Sequence, residues 1–351
     1  MSTLLFRACA FLVVFLLPTG GAAQLVLYDN FDSKLIDPSK WLDLPADPDI
    51  EEAVRQLVAT PGVPNDRRLH LSQRAYSATT DDIGSSGGGF GLAFPVPSAV
   101  AEISFTVVVN SAQAVGCTSN PAEGNTEAEF RGNFFNTTQS PTSSIGDVQA
   151  VIGVVRSSAD AGAPLTAHGF YVRCEDEHCG SVTFLDGHVL GSVQPGVIST
   201  LHLKWDQFNH RFIFQLNDQP EFVSTYTVSD SSPPFFSVKI LNVDHVVPHC
   251  TTTPRPFTAI DAFFDDVFVN GTTITSAAKS SIDSSFLASE TCTALGGTAG
   301  PVGCTSLIST KEAATASKVN EKLTVIGEWQ LNENPLGRKS SDSTIVTKKA
   351  N

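Results

Sequence analysis

Two glutamates and an arginine alternate in the run Glu127-Ala128-Glu129-Phe130-Arg131-Gly132-Asn133-Phe134. In an extended chain successive side chains point to opposite faces, so Glu127, Glu129, Arg131 and Asn133 share one face and Ala128, Phe130, Gly132 and Phe134 the other. One face is a polar ladder and the opposite face is core. Two carboxylates on one strand face suit glycoside hydrolysis, whose retaining form needs a nucleophile and an acid with carboxyls about 5 to 5.5 Å apart. Residues two apart on a strand have backbones separated by about 6.6 Å, which makes Glu127 and Glu129 the candidate catalytic pair. Arg131 supports a second reading, an exposed charge ladder stabilised by ion pairing along the strand. The candidate ligand-binding residues are Arg131 and Asn133 on the ladder and Tyr171, Arg173 and His202, with Lys204 and Asp206, on strands expected to flank it. For each of these, ordinary strand-surface decoration is the alternative.

The candidate metal ligands are Asp261, Asp265 and Asp266 in Ile260-Asp261-Ala262-Phe263-Phe264-Asp265-Asp266-Val267. Calcium is the one cofactor they suggest, and it wants six to eight oxygens, of which this run supplies two or three on one side. The alternative is aspartates that bond to neighbouring backbone at the end of a strand. The histidines at 70, 168, 178, 188, 202, 210, 245 and 249 show no His-x-x-x-His spacing, and Cys174 to Cys179 matches no common zinc pattern.

The chain opens as an export leader: Arg7 is a positive start, Ala8 to Leu17 an apolar stretch, and Gly21-Ala22-Ala23 a small-residue cleavage site before Gln24. The apolar stretch is too short to span a bilayer, and no later stretch reaches about 20 apolar residues, so the protein is not expected to be membrane-embedded. The expected location is extracellular, or the periplasm or cell surface in a bacterium. Past the leader six cysteines remain. Sequence permits 15 pairings, but Cys174 with Cys179 and Cys292 with Cys304 form short loops, which leaves Cys117 with Cys250. Without Arg7 there are 21 basic against 36 acidic residues, 21 − 36 = −15. Nucleic acid is not an expected partner, because phosphate binding needs clustered cations. Asn136-Thr137-Thr138 and Asn270-Gly271-Thr272 fit the N-glycosylation pattern, which matters only in a eukaryotic secretory pathway.

The elements that must position these residues are mostly strands. Leu69 to Tyr76, Glu102 to Val109, Val148 to Val155, His168 to Arg173, Val182 to Leu185, Leu201 to Trp205 and Arg211 to Leu216 alternate with period two or are apolar throughout. Asp186-Gly187 reads as a two-residue hairpin turn before His188 to Leu190. Phe235 to Leu241 is a strand followed by a loop rich in Pro and Thr. The last strand, Ala259 to Gly271, places Ile260, Ala262, Phe264 and Phe268 on one face. Ile50 to Val58 reads as one or two helical turns. Gly84 to Gly89 lacks the Lys-Ser/Thr pair of a phosphate loop and reads as a flexible turn. Ten to fourteen short strands predict an all-β fold, an antiparallel two-sheet sandwich over residues 24–271. After it comes an irregular Ser, Thr and Ala-rich extension over 272–351, partly disordered. No internal repeat is present.

Three stretches resemble the concanavalin A-like lectin and glucanase superfamily, including its laminin-G-like modules. They are Tyr28-Asp29-Asn30-Phe31-Asp32 with Asp37-Pro38-Ser39-Lys40-Trp41, Leu201 to Asp206 leading to Phe212 to Asp218, and Ile260 to Val267. The resemblance implies a jelly roll of two curved antiparallel sheets, first and last strands adjacent, and a concave face that in many relatives holds a saccharide. Trp41 and Trp205 read as core anchors, with sugar platforms the alternative. Family 16 glycoside hydrolases of this superfamily carry Glu-x-Asp-x-Glu or Glu-x-Asp-x-x-Glu; here Arg131 stands where the shorter pattern has its second glutamate. Jelly-roll alginate lyases are similar at Thr126-Glu127 and Arg131 to Asn136. Their Gln-Ile-His triplet is absent, and Phe stands where a catalytic Tyr would be, which removes the usual proton donor. The expectation is therefore a secreted, non-catalytic carbohydrate-binding or surface-interaction module. The alternatives are a divergent polysaccharide hydrolase or lyase acting through Glu127 and Glu129, and a structural or adhesive protein without a saccharide site.

Overall fold

The computed structural model describes residues 24–47, 50–137, 142–160, 162, 164–177 and 179–270. The leader, the extension from residue 271 onward and the proposed Cys292–Cys304 bond lie outside the described residues.

Among the described residues fifteen strands follow one another: β1 (Leu25–Asp29), β2 (Leu42–Leu44), β3 (Ile50–Ala59), β4 (Arg67–Tyr76), β5 (Ser85–Ala93), β6 (Glu102–Ala114), β7 (Asn125–Asn136) and β8 (Asp147–Ser157), then β9 (Leu165–Cys174), β10 (Val182–Val193), β11 (Ser199–Asp206), β12 (Arg211–Leu216), β13 (Phe222–Thr225), β14 (Lys239–Pro248) and β15 (Phe257–Asn270). They form two antiparallel sheets. One has eight strands in the order β13-β12-β11-β6-β15-β4-β3, with β1 also paired to β15; the other has seven, β10-β9-β8-β7-β14-β5-β2. First and last strands are adjacent, Leu25 opposite Asn270. The result is an all-β sandwich of two antiparallel sheets.

The core lies between the sheets. Leu71, Phe105, Leu203 and Phe264 from the larger sheet meet Phe130, Ile152 and Val243 from the smaller. Each comes from the apolar phase of an alternating strand, and burying side chains of this size stabilises by about 1.5–3 kcal/mol apiece. Trp41 fixes the opening loop: its ring packs on Tyr28, Phe31 and Phe94, and its indole N–H donates to Asp29 at 2.7 Å. Trp205 is half-buried against Phe135 and donates to the Tyr226 hydroxyl at 2.7 Å.

Several expectations are corrected. Ile50 to Val58 is strand β3, paired to β4 from Ile50 to Ala59; its charged residues lie on an edge strand, where solvent takes one side. Gly84 to Gly89 is not a turn, because Ser85 onward pairs with β14. Glycine is required there at Gly89, where a Cβ would stand 2.6 Å from the Val243 carbonyl oxygen. Asp186-Gly187 is no hairpin. It lies inside β10, which pairs continuously with β9 through a bulge between Phe184 and Asp186. The stretch after Leu241 is not loop either, since β14 continues to Pro248. In β15 a register shift between Asp265 and Phe268, with Asp266 in the left-handed region at φ 47°, reverses the alternation. Val267 and Val269 continue the core face and Phe268 does not.

Candidate functional site

β7 runs through the middle of the seven-stranded sheet, between β8 and β14, and carries Glu127, Glu129, Arg131 and Asn133 on its outer face. Antiparallel register assigns their neighbours. Asp244 and Asn242 of β14 stand opposite Glu127 and Glu129; Gly153 and Gln149 of β8 stand opposite Glu129 and Asn133; His168 of β9 stands opposite Gly153. Gly153 is a gap in the floor: a Cβ there would fall inside the Glu127 carboxylate. Through that gap Glu127 reaches across β8 and joins the His168 imidazole. Arg131 pairs with Glu129 at 2.7 Å and also with Asp244. At the far end Gln149 donates to Asn133 Oδ1 at 2.7 Å, and Asn133 donates to the Phe236 carbonyl at 2.7 Å.

The ladder is not an exposed charge ladder. Glu127, Glu129, Arg131, Asn133, Gln149, His168, Asn242 and Asp244 are each at most 6% exposed. Taking so many charges out of water is costly, and only mutual pairing offsets it. Burial, reinforced by the charges of Glu127 and Asp244, raises Glu129 well above the ordinary carboxyl range despite Arg131 beside it. Burial likewise lifts Asp244 to about 6, against the opposing pull of Arg131. The segment between β13 and β14 crosses one end of this face. Its Phe235 and Phe236 N–H groups donate to Asp147 at 2.9 and 3.1 Å, and burial raises that carboxyl to about 6.

The polar stripe is flanked on the same sheet face by two apolar patches. On one side Ala93, Val238 and Ile240 pack with half-buried Leu44 and Phe236. On the other, Val151, Phe170, Val172, Cys174 and Cys179 pack with half-buried Val182 and Phe184.

The other candidate residues are not brought to this face. Tyr171 points into the core, its hydroxyl accepting from Ser224 at 3.2 Å. Arg173, two along on the same side of β9, pairs with Glu175 at 2.8 Å. His202 and Lys204 are on the eight-stranded sheet and share Glu102, at 2.9 and 3.1 Å. Asp206 pairs with Arg211 at 2.8 Å. The aspartates of β15 do not converge. Asp261 faces His70 at 2.5 Å and Asn110 at 3.3 Å. Asp265 lies four residues along, about 13 Å away at strand rise. Asp265 is raised to about 7 by burial and by the charges of Asp266, Asp66 and Asp32. Cys117–Cys250 and Cys174–Cys179 are bonded. Among the described residues the one cluster with metal-ligand spacing, Asp82 with Cys117 and Cys250, draws two of its three members from a disulfide.

Sequence reasoning missed His168, Asp244, Asn242 and Gln149. The available signal was polar residues inside otherwise apolar strands, His168 before Gly-Phe-Tyr-Val and Asp244 between Val243 and His245. In a strand buried on both faces, such residues are pairing partners for something opposite.

No protein-family model and no curated protein matches this sequence. Solved structures do show likeness. A GlcNAcα1-4Gal-releasing endo-β-galactosidase from Clostridium perfringens is similar at 12% identity over 69% of this chain, with TM-score 0.32; this chain spans 63% of that protein's length. LamAcat from Zobellia galactanivorans is similar at 10% identity, over 69% of this chain and 95% of its own, with TM-score 0.34. A carbohydrate recognition domain in metal-free form is similar at 15% identity, over 68% and 98%, with TM-score 0.28.

Proposed function

We propose that the protein is an exported, non-catalytic β-sandwich that binds a glycan across the outer face of its seven-stranded sheet. The observation that carries this reading is the pair of half-buried aromatic faces, Phe184 and Phe236, on either side of the polar stripe. Sugar rings present apolar faces that stack on aromatics, and their hydroxyls need polar groups between the stacks. The ladder speaks against hydrolase chemistry. Arg131 occupies Glu129 and Asp244, His168 occupies Glu127, and sealed carboxyls cannot touch a glycosidic oxygen or anomeric carbon. Export is supported by the leader pattern of residues 1–23 and by the two disulfides among the described residues, since such bonds persist in oxidising compartments.

Binding arrays of neutral, acidic and aminated polysaccharides, run with and without calcium, test the reading. Retention of at least one polymer, weakened tenfold or more by Phe184→Ala or Phe236→Ala, is the expected result. A flat response throughout leaves the structural or adhesive role. Glu129 supports a second reading, divergent hydrolysis or lysis, because burial and the neighbouring carboxylates raise its pKa, the direction a general acid requires. Reducing-sugar and unsaturated-product assays on the same polymers decide it. Activity that persists in Glu127→Gln and Glu129→Gln rules this pair out.

A further inference from the structure

Two stretches carry the three-residue N-glycosylation pattern, and the fold separates them. Asn136 ends β7 and is 1% exposed. Its side-chain nitrogen Nδ2, the atom a glycan would occupy, donates to the Ile145 carbonyl at 3.0 Å and to Asp147 Oδ1 at 2.7 Å. That aspartate also holds the Phe235 and Phe236 amides. A saccharide on Asn136 would displace both bonds and the segment docked on Asp147, so modification there is incompatible with the fold.

Asn270 is the reverse case. It ends β15, half-buried, opposite Leu25. Its oxygen, not its nitrogen, does the structural work: Oδ1 accepts from the backbone N–H groups of Ala101 and Glu102, both at 2.9 Å. Among the described residues its Nδ2 donates to no partner. Conversion to a glycosylated amide keeps the carbonyl oxygen and removes only one N–H. Both bonds that fix Asn270 to the start of β6 therefore survive modification. The planar amide, with its oxygen turned onto β6, directs its nitrogen to the other side. In the sequence Gly271 and Thr272 complete the pattern, and the middle residue is not proline.

We propose that Asn270 is the N-glycan acceptor of this protein in a eukaryotic secretory pathway, which rests on the export reading above, and that Asn136, despite its matching sequence, is not. In the reaction Nδ2 bonds to the anomeric carbon of a polyprenyl diphosphate-linked oligosaccharide. The bond from that carbon to the diphosphate oxygen breaks, the diphosphate leaves with the electron pair, and one Nδ2 proton is released. The modification marks the place where the sandwich ends.

The test expresses the full chain in insect cells and maps it by peptide mass spectrometry after peptide N-glycosidase release in heavy-oxygen water. The expected result is labelled aspartate at position 270 and unlabelled asparagine at 136. Asn270→Gln removes the acceptor but keeps a side-chain carbonyl on a longer arm. Thr272→Ala removes the pattern while leaving Asn270 and its two bonds untouched, so loss of the glycan in Thr272→Ala with unchanged thermal unfolding separates modification from folding. An unlabelled Asn270 peptide, from whichever cell fraction the protein is recovered, overturns the proposal. So does a labelled Asn136 in protein with both disulfides formed.

Discussion

Replacing Arg131 by methionine removes the one cation shared by Glu129 and Asp244 while keeping most of the side-chain volume. The consequence can be worked through Asp244. In the intact network this carboxyl titrates at about 6, above the ~3.9 of an unfolded aspartate. A raised carboxyl contributes stability that is complete below the unfolded value and is lost as pH rises through the folded one. Once both forms are ionised, above about pH 6, the wild-type loss is constant. Without Arg131 the ionised form has no buried cation beside it, so Asp244 keeps its proton and pays for it against the unfolded chain at every higher pH. The penalty of Arg131→Met relative to wild type should therefore grow by about 1.4 kcal/mol for each pH unit above ~6, on top of a pH-independent packing difference. Urea unfolding of both proteins at pH 5, 6, 7 and 8 reads this slope directly. A stability difference that stays flat across those four values would show that Asp244 does not depend on Arg131, and the description of the ladder as a mutually neutralising network would be wrong.

Three further outcomes follow from the same structure. Gly153→Ala places a Cβ where the Glu127 carboxylate lies and should cost about 1–3 kcal/mol as an overpacked site, with the His168 imidazole NMR signals shifted because its partner is displaced. The disulfides should differ in worth: chain-entropy reasoning gives ~5 kcal/mol for Cys117–Cys250 and ~2 for Cys174–Cys179, from separations of 133 and 5 residues. Denaturant titrations of the paired serine variants would compare them, and equal losses would contradict the ranking. Lys239 donates to the Pro97 and Asn133 carbonyls at 2.9 and 3.1 Å, and burial lowers it to about 7. Its charged form is a burden on the folded state, one that is lifted as pH rises from ~7 to ~10. Over that window wild type should gain on Lys239→Met, by about 1.4 kcal/mol per unit at most, and pH-resolved thermal melts would show it.

The sandwich was legible because alternation is a local signal. Leu201, Leu203, Phe212 and Phe214 announce their core face without reference to any other strand. The places where the reading failed are those where phase or pairing is set from elsewhere. β3 carries Glu51, Glu52 and Arg55 because it is an edge, which no property of its own ten residues declares. Gly88-Gly89 looks like a turn until Asp47 and β14 are in place to crowd out side chains. The bulge at Asp266 reverses the phase of β15 halfway along. Of the candidate site, sequence supplied one strand in full, Glu127 to Asn133, but not its neighbours. Tyr171 and Arg173 are polar and lie on a strand of the same sheet, but on the opposite phase of β9 from His168, so polarity alone does not bring a residue to the ladder face.

The ladder's burial follows from which strands β7 lies between. A central strand contacts neighbours on both edges, and its outward polar residues find partners both in register and off it: Arg131 stands in register between apolar Val151 and Ile240 and reaches Glu129 on its own strand and Asp244 further along β14. Glu127 meets Asp244 on one side and on the other extends over the space Gly153 leaves, ending at His168. Glu129 meets Asn242 and Gly153 itself; Asn133 meets Gln149. The stripe is thus determined as a set. Changing a single member leaves an unsatisfied partner at a cost of about 1–3 kcal/mol, whereas replacing the set by apolar residues of similar volume can be neutral or stabilising. A purely structural stripe has no reason to resist such a replacement. A variant with Glu127, Glu129, Arg131, Asp244 and His168 all made apolar that folds, and retains the glycan binding of the parent, would assign the stripe to architecture and leave Phe184 and Phe236 as the binding surface. One that folds but loses binding would assign the polar groups a direct part in it.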